Sequence, residues 1–188
     1  MDAQKLVLLL SYPGLFLLVL AETGLLVGFA LPGDSLLVTV GLLAAADRLT
    51  LPYALLALFF GSFLGHQMGY FWGRRLGPGL AQRVPKERLE KTQLFLFRRG
   101  QLAVVLAPLV PVVRTAMPFL LGALGFPYPR FVVLSLLGTL VWTQGVTLLG
   151  YALGHAVPGL ERSILLVVAG VVLLSLLPGW VGLRRVKE

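Results

Sequence analysis

Three ionisable residues stand inside otherwise apolar sequence, and their types narrow the chemistry open to them. Glu22 and Asp34 fall in AETGLLVGFALPGDSLLVTVGLL, residues 21–43, and Arg114 falls in APLVPVVRTAMPFLLGALG, residues 107–125. A charged side chain at the centre of a membrane helix costs about 2.5–3.5 kcal/mol on insertion scales, so each such residue is a functional candidate. A guanidinium grips phosphate through a planar two-pronged fork, and carboxylates withdrawn from water exchange protons near neutral pH. One arginine with two acids therefore suits an anion site whose charge is balanced by protons. Plainer roles stand beside these: a structural salt bridge for Arg114, an external interface position for Glu22, and an N-cap on LLVTVGLLAA for Asp34.

A fourth candidate is His66, in GSFLGHQMGYFWGRRLG, residues 61–77. Imidazole titrates near neutral pH, which suits a proton relay; the plainer role for His66, with Gln67, is a hydrogen bond between helices. Around it, glycine recurs at 61, 65, 69, 73 and 77. At 3.6 residues per turn this makes one helix face without side chains, open to close approach by another backbone. Packing within the chain is the expected use, ahead of a dimer seam. Arg74 and Arg75 at the end of this segment suit an interface with anionic headgroups. His155 falls at a helix end and is expected at the interface. Neither histidine has companion ligands, so no metal site is expected.

The elements that must position these residues are membrane helices. Of the 188 residues, 57% are hydrophobic and only 13% charged, with a mean hydropathy of +0.89. A soluble chain of this length needs a far more polar surface, and several runs approach the roughly 20 apolar residues that cross a bilayer. There are no cysteines, which excludes disulfides and thiolate metal sites. The net charge of +8 fits basic loops at a membrane face. Nucleic acid is not expected as a partner, because the basic residues lack interleaved aromatics. The start of the chain, with Lys5 ahead of LVLLLSYPGLFLLVLA, mimics a signal peptide; a retained first helix is the expectation.

The segments read as helix over 4–20, a broken apolar stretch over 22–46, helix over 51–76, a polar segment over 83–99, a second broken stretch over 101–125, and helices over 128–154 and 161–183. Pro32-Gly33 interrupts the first broken stretch, and Pro108, Pro111 and Pro118 interrupt the second. Proline removes an amide donor and clashes with the preceding turn, and broken backbone is tolerated at membrane depth only where protein or a wet cavity satisfies it. Both stretches are therefore expected to be re-entrant hairpins. The distribution of basic residues agrees. With both hairpins re-entering, Lys5, Arg130, the block from Arg74 to Arg99 and the tail from Arg184 to Lys187 all fall on the cytoplasmic side. Only Arg48 and Arg162 are external, and Arg114 is intramembrane.

A weak internal repeat reinforces the pattern. At an offset of 81 residues Gly41 matches Gly122, Gly69-Tyr70 matches Gly150-Tyr151, and Gly73 matches Gly154. Each copy is a broken stretch followed by a helix ending in GYxxG, and the two copies run in opposite directions. Inverted repeats with interrupted helices point to a transporter site at the repeat interface.

The ordered set of motifs resembles the bacterial DedA family, also called SNARE-associated or VTT-domain proteins. It comprises Glu22 followed by PGDS, GxxxGxxxGYxxGRxxG, VPVVRTAMPFLLGALG, and GTLVW followed by GYALG. The likeness covers about residues 15–155. It implies a fold with two opposed re-entrant hairpins and an inner-membrane protein that translocates polyprenyl phosphate or phospholipid, often driven by the proton-motive force. The family's two acids map to Glu22 and Asp34, and one functional arginine to Arg114. Two positions depart from the family pattern: Pro108 stands where another arginine is common, and His66 where an Asp or Asn often follows the second glycine.

The expectation is thus an all-α polytopic membrane protein, a single domain over 1–188 with hairpins at about 22–46 and 101–125. It is read as a non-enzymatic carrier of an anionic lipid, in the bacterial inner membrane with both termini cytoplasmic. Arg114 is expected to bind the lipid phosphate, Glu22 and Asp34 to balance charge and carry protons, and His66 to serve as a relay. No cofactor is implied; the lipid and the membrane are the expected partners, and so few full spans leave room for a homodimer. The competing reading is a proton-coupled exporter or antiporter of small cations or drugs. An intramembrane lipid phosphatase lacks a nucleophile with a histidine partner, and a scaffold working through the glycine face would tolerate loss of the charges.

Overall fold

The described residues form helices of two lengths. The structure, a computed structural model, describes residues 3–24, 33–81, 104–105 and 111–157. Three helices are long: α1 (Ala3–Gly24), α3 (Leu51–Ala81) and α5 (Tyr128–Ala156). Two are short, α2 (Gly33–Ala45) and α4 (Pro111–Ala123), with 13 residues each. Among the described residues there is no strand. Leu51–Gly77 and Tyr128–Ala156 are long and apolar enough to cross a membrane. At 1.5 Å per residue α2 and α4 are about 20 Å long, against a hydrocarbon core of about 30 Å.

Two helices run past their expected ends: α3 reaches Ala81 instead of 76, and α1 passes residue 20. Glu22 was assigned to the first broken stretch, but α1 continues through it to Gly24. Nothing in LAET resists a helix, and the Thr23 hydroxyl bonds back to the Val19 carbonyl at 2.7 Å, closing one more turn. The residues around Pro32, the polar segment at 83–99, Pro108, the expected helix at 161–183 and most of the basic block and tail lie outside the described residues.

Contacts fix the helix directions. His66 meets Thr139 and Gln67 meets Ser135, while Leu55 meets Gln144, so α3 and α5 are antiparallel. Gly41 lies against Thr147, Gly150 and Tyr151, and Gly154 against Ala45, so α2 runs parallel to α5. Gly122 lies against Tyr70 and Arg74, and Gly77 against Ala123, so α4 runs parallel to α3. Phe16 against Gly61 and Thr23 against Gly65 set α1 parallel to α3. The short helices thus point in opposite directions. Their contacts are also reciprocal, since Gly41 on Tyr151 becomes Gly122 on Tyr70 when 81 is subtracted from one partner and added to the other.

These approaches are too close for side chains. A Cβ at Gly41 falls 2.6 Å from the Tyr151 nitrogen and one at Gly122 falls 2.9 Å from the Arg74 nitrogen, each with a carbonyl oxygen closer still. The glycine face of α3 is spent inside the chain: Gly61 and Gly65 receive α1, and Gly73 and Gly77 receive α4.

Both short helices stop in the same way. After α2, the Asp47 amide bonds Ala44 and the Arg48 amide bonds Leu43, with Asp47 at φ 55°. After α4, the Gly125 amide bonds Gly122 and the Phe126 amide bonds Leu121, with Gly125 at φ 72°. This is the Schellman cap, which satisfies the last carbonyls through one left-handed residue. Each cap reverses the chain into the following long helix.

The exposed surface is rich in large apolar side chains, while the interior mixes apolar clusters with buried polar groups. Leu56, Phe60, Phe71 and Trp72 of α3 and Val133, Leu137, Val141 and Leu149 of α5 are exposed. Glu22, His66, Arg114, Thr139, Thr143 and Thr147 are buried. Large apolar side chains outside, with the ionisable groups kept inside, are what a lipid solvent demands.

Candidate functional site

The site forms where helix ends meet the middle of the long spans. Glu22 sits in the last turn of α1, Asp34 in the first turn of α2, and Arg114 in the first turn of α4. Asp34 is well placed there, because a helix N-terminus carries partial positive charge. Glu22 and Arg114 are placed against the dipoles of their helices, each at a cost of about 0.3–1 kcal/mol. Local helix preference therefore does not explain them; their pairing does.

Arg114 is the hub. Its Nη2 donates to Glu22 Oε1 and its Nη1 to Asp34 Oδ1, both at 2.8 Å. The indole Nε1 of Trp142, midway along α5, donates to the same Asp34 oxygen at 2.8 Å. The guanidinium also lies over the Trp142 ring, with Cζ 4.1 Å from its centroid, a cation–π contact. Arg114 and Glu22 are each 1% exposed and Asp34 19%, so Asp34 is the member nearest the outside. Two carboxylates facing one guanidinium give a formal charge of −1 when both are ionised. Burial this deep is tolerated only with good geometry and satisfied hydrogen bonds.

The structure brings together the three charged residues singled out in the sequence. His66 is apart from their ion pairs. Its Nδ1 lies 3.0 Å from Thr139 Oγ1, the helix-to-helix bond expected of it, and its ring lines a small cavity shared with Arg114. His155 is exposed at the end of α5, with Nδ1 3.2 Å from the Tyr151 carbonyl. Among the described residues no cluster of three His, Cys, Asp or Glu side chains is able to hold a metal ion.

Two parts of the site were missed. Trp142 was read only as a motif letter, although an indole N–H deep in an apolar span needs an acceptor. Ser135, Thr139, Thr143 and Thr147 are all buried and recur every fourth residue on α5. That spacing was visible in the sequence and puts a polar stripe on one face.

Replacing Trp142 with phenylalanine retains a ring under the guanidinium and removes the bond to Asp34. Loss of a hydrogen bond to a charged group predicts a destabilisation of about 1.5–3 kcal/mol, read as a lower melting temperature in detergent. An unchanged melting temperature would assign no stabilising weight to that bond.

A helical bundle with an apolar exterior and a buried arginine–carboxylate cluster defines an integral membrane protein with a polar interior site. The chain belongs to the VTT-domain, or DedA, family: the VTT domain matches residues 31–152, a span holding Asp34, His66, Arg114 and Trp142. It is similar to an uncharacterized membrane protein of Mycobacterium tuberculosis (strain CDC 1551 / Oshkosh), with 37% identity over 181 residues, 93% of this chain and 79% of that protein. It is 32% identical to Protein DedA of Escherichia coli K12 over 184 residues, 94% of this chain and 84% of that protein. Inner membrane protein YqjA of the same strain is 32% identical over 145 residues, 74% of this chain and 66% of that protein. No solved structure matches the chain.

Proposed function

We propose that this protein carries an anionic lipid, undecaprenyl (polyprenyl) phosphate or a phospholipid, across the bacterial inner membrane with coupling to protons, as a carrier rather than an enzyme. The observation that carries this reading is the position of Arg114: buried, where two helices too short to span the bilayer meet, and paired with two carboxylates that protonation would neutralise.

The coupling follows from competition. The Nη1 and Nη2 groups that would grip a phosphate are the ones donated to Asp34 and Glu22. A phosphate must displace at least one carboxylate. A displaced carboxylate with no cation beside it is costly to bury, so it takes up a proton. Phosphate binding and proton uptake at Glu22 and Asp34 are thereby linked, and the N-termini of α2 and α4 add favourable dipole ends for the anion.

Two re-entrant hairpins related by inversion are the proposed scaffold. Support comes from the short lengths of α2 and α4, their opposite directions, their shared caps and their reciprocal contacts at an offset of 81. Alternating exposure of Arg114 to the two leaflets follows from rocking one repeat against the other. Both termini are placed in the cytoplasm. Because the chain has no cysteine, an introduced Arg48→Cys reports its side without background: labelling from outside supports this orientation, and protection from outside reverses it.

The decisive test is transbilayer movement of a fluorescent polyprenyl phosphate in proteoliposomes, with and without a pH gradient. Wild-type protein is expected to move the lipid, faster with the gradient; Asp34→Asn and Glu22→Gln are expected to lose the response to the gradient, and Arg114→Ala all movement. Folded wild-type protein that moves neither this lipid nor a phospholipid above protein-free liposomes would sink the reading. The excess of one acid over arginine favours a second reading, a proton-coupled exporter of small cations or drugs. In that case cation uptake would survive Arg114→Gln and disappear in Asp34→Asn.

A further inference from the structure

Arg114 carries five N–H donors, and its bonds to the two carboxylates leave Nε unused. Its Nε is buried and has no partner among the described residues, and the same is true of His66 Nε2. Both residues line one cavity, on α4 and α3 respectively, together with Ser135 of α5 and the apolar side chains of Val104, Met117 and Phe131. The space open to the centre of a water-sized sphere is about 10 Å³. That is room for one water and far too little for a phosphate group.

The three polar residues match the needs of a single water. An Arg114 Nε–H donates only. A cation turns the oxygen of a neighbouring water toward itself and its hydrogens away, so the water accepts from Arg114 and has two hydrogens to give. His66 Nε2 takes one when the ring proton is on Nδ1, which then donates to Thr139 Oγ1 at 3.0 Å. Ser135 Oγ takes the other. Its hydroxyl hydrogen goes to the Val132 carbonyl at 3.1 Å, and one lone pair receives Gln67 Nε2 at 3.1 Å. One lone pair is left. The count closes at three hydrogen bonds, the usual number for a buried water.

We propose that this cavity is a one-water site, and that through its water His66 is a positioning residue for Arg114. The two carboxylates hold one edge of the guanidinium, and the His66 water holds Nε. The arginine is gripped from α1 and α2 on one side and from α3 and α5 on the other. This inference stands on the cavity's own chemistry and does not depend on what the protein transports.

The test is nitrogen-15 NMR of histidine- and arginine-labelled wild-type protein in lipid bilayers, with His155→Gln used to assign the two histidines. His66 is expected as the Nδ1–H tautomer, with an unprotonated Nε2 and a cross-peak from a slowly exchanging water that also reaches Arg114 Nε–H. His66→Gln, which offers an acceptor oxygen, is expected to retain the water contact at Arg114 Nε, and His66→Leu to lose it. A proton on Nε2, or absence of the water cross-peak in folded wild-type protein, would overturn the proposal. So would an Arg114 Nε–H signal unchanged by His66→Leu. None of these readouts depends on lipid movement, so a failed transport assay and a failed water site are told apart.

Discussion

Arg114→Ala is expected to destabilise the folded protein by about 3–5 kcal/mol, the usual cost of removing one partner from a buried ion pair. Most of that cost comes from what remains. Glu22, 1% exposed, and Asp34 lose the Arg114 donors that pair their charges, and Trp142 loses the cation over its ring. Arg114→Lys is not a conservative change here, because a single ammonium cannot reproduce a planar fork that reaches two carboxylates at 2.8 Å. Combining Arg114→Met with Glu22→Gln and Asp34→Asn removes all three charges and is expected to restore most of the lost stability. Thermal unfolding in detergent reads both outcomes. A stable but transport-dead triple variant would separate the cluster's structural weight from its use. An Arg114→Ala protein that melts with the wild type would mean that the carboxylates do not depend on arginine at all.

The second large effect is expected at the crossed contacts of the short helices. Gly41→Ala places a methyl group against the Thr147 carbonyl and the Tyr151 nitrogen, and Gly122→Ala places one against the Tyr70 carbonyl and the Arg74 nitrogen. The obstructing atoms are backbone, so relief requires moving a whole helix. Overpacking of well-packed interiors typically costs about 1–3 kcal/mol, and these two sites are expected at the top of that range or beyond. Gly145→Ala is the control: it meets nothing within 4 Å, and exchanging a mid-helix glycine for alanine is worth roughly 0.5–1 kcal/mol in favour of the helix. Melting temperatures should fall for the first two and hold or rise for the third. Equal behaviour of all three would remove the close packing from any role in stability.

The charged residues were legible because a charge within an apolar run has few explanations, and the long helices because apolar runs of their length have few alternatives. Of the expected breaks, Pro111 and Gly33 stand at the starts of α4 and α2, but Pro118 lies inside α4 without ending it, and Asp34 falls in the first turn of α2 instead of capping it. What was hidden depends on partners remote in sequence. Trp142 binds Asp34 across 108 residues, and Arg114 reaches Glu22 across 92; no local pattern announces either. The end of α1 was misplaced because a glutamate invites separation from a helix, whereas its pairing with Arg114 allows α1 to run on to Gly24. The Ser–Thr stripe of α5 escaped notice for a different reason. Serine and threonine are only mildly polar and barely lower the hydropathy of an apolar run, and two of the four, Ser135 and Thr143, bond to carbonyls of their own helix.

The crossed pairing of the short helices also sets an order of events during synthesis. The partner of α4 is α3, already made when α4 leaves the ribosome. The partner of α2 is α5, whose Thr147 and Tyr151 follow Gly41 by more than a hundred residues. At about 5–20 residues per second, that interval lasts roughly 5–20 s. Through this time α2, too short to bridge the bilayer, lacks its backbone-to-backbone partner. A nascent chain arrested before residue 147 should therefore expose α2 to crosslinkers or insertase contacts that the finished protein no longer shows.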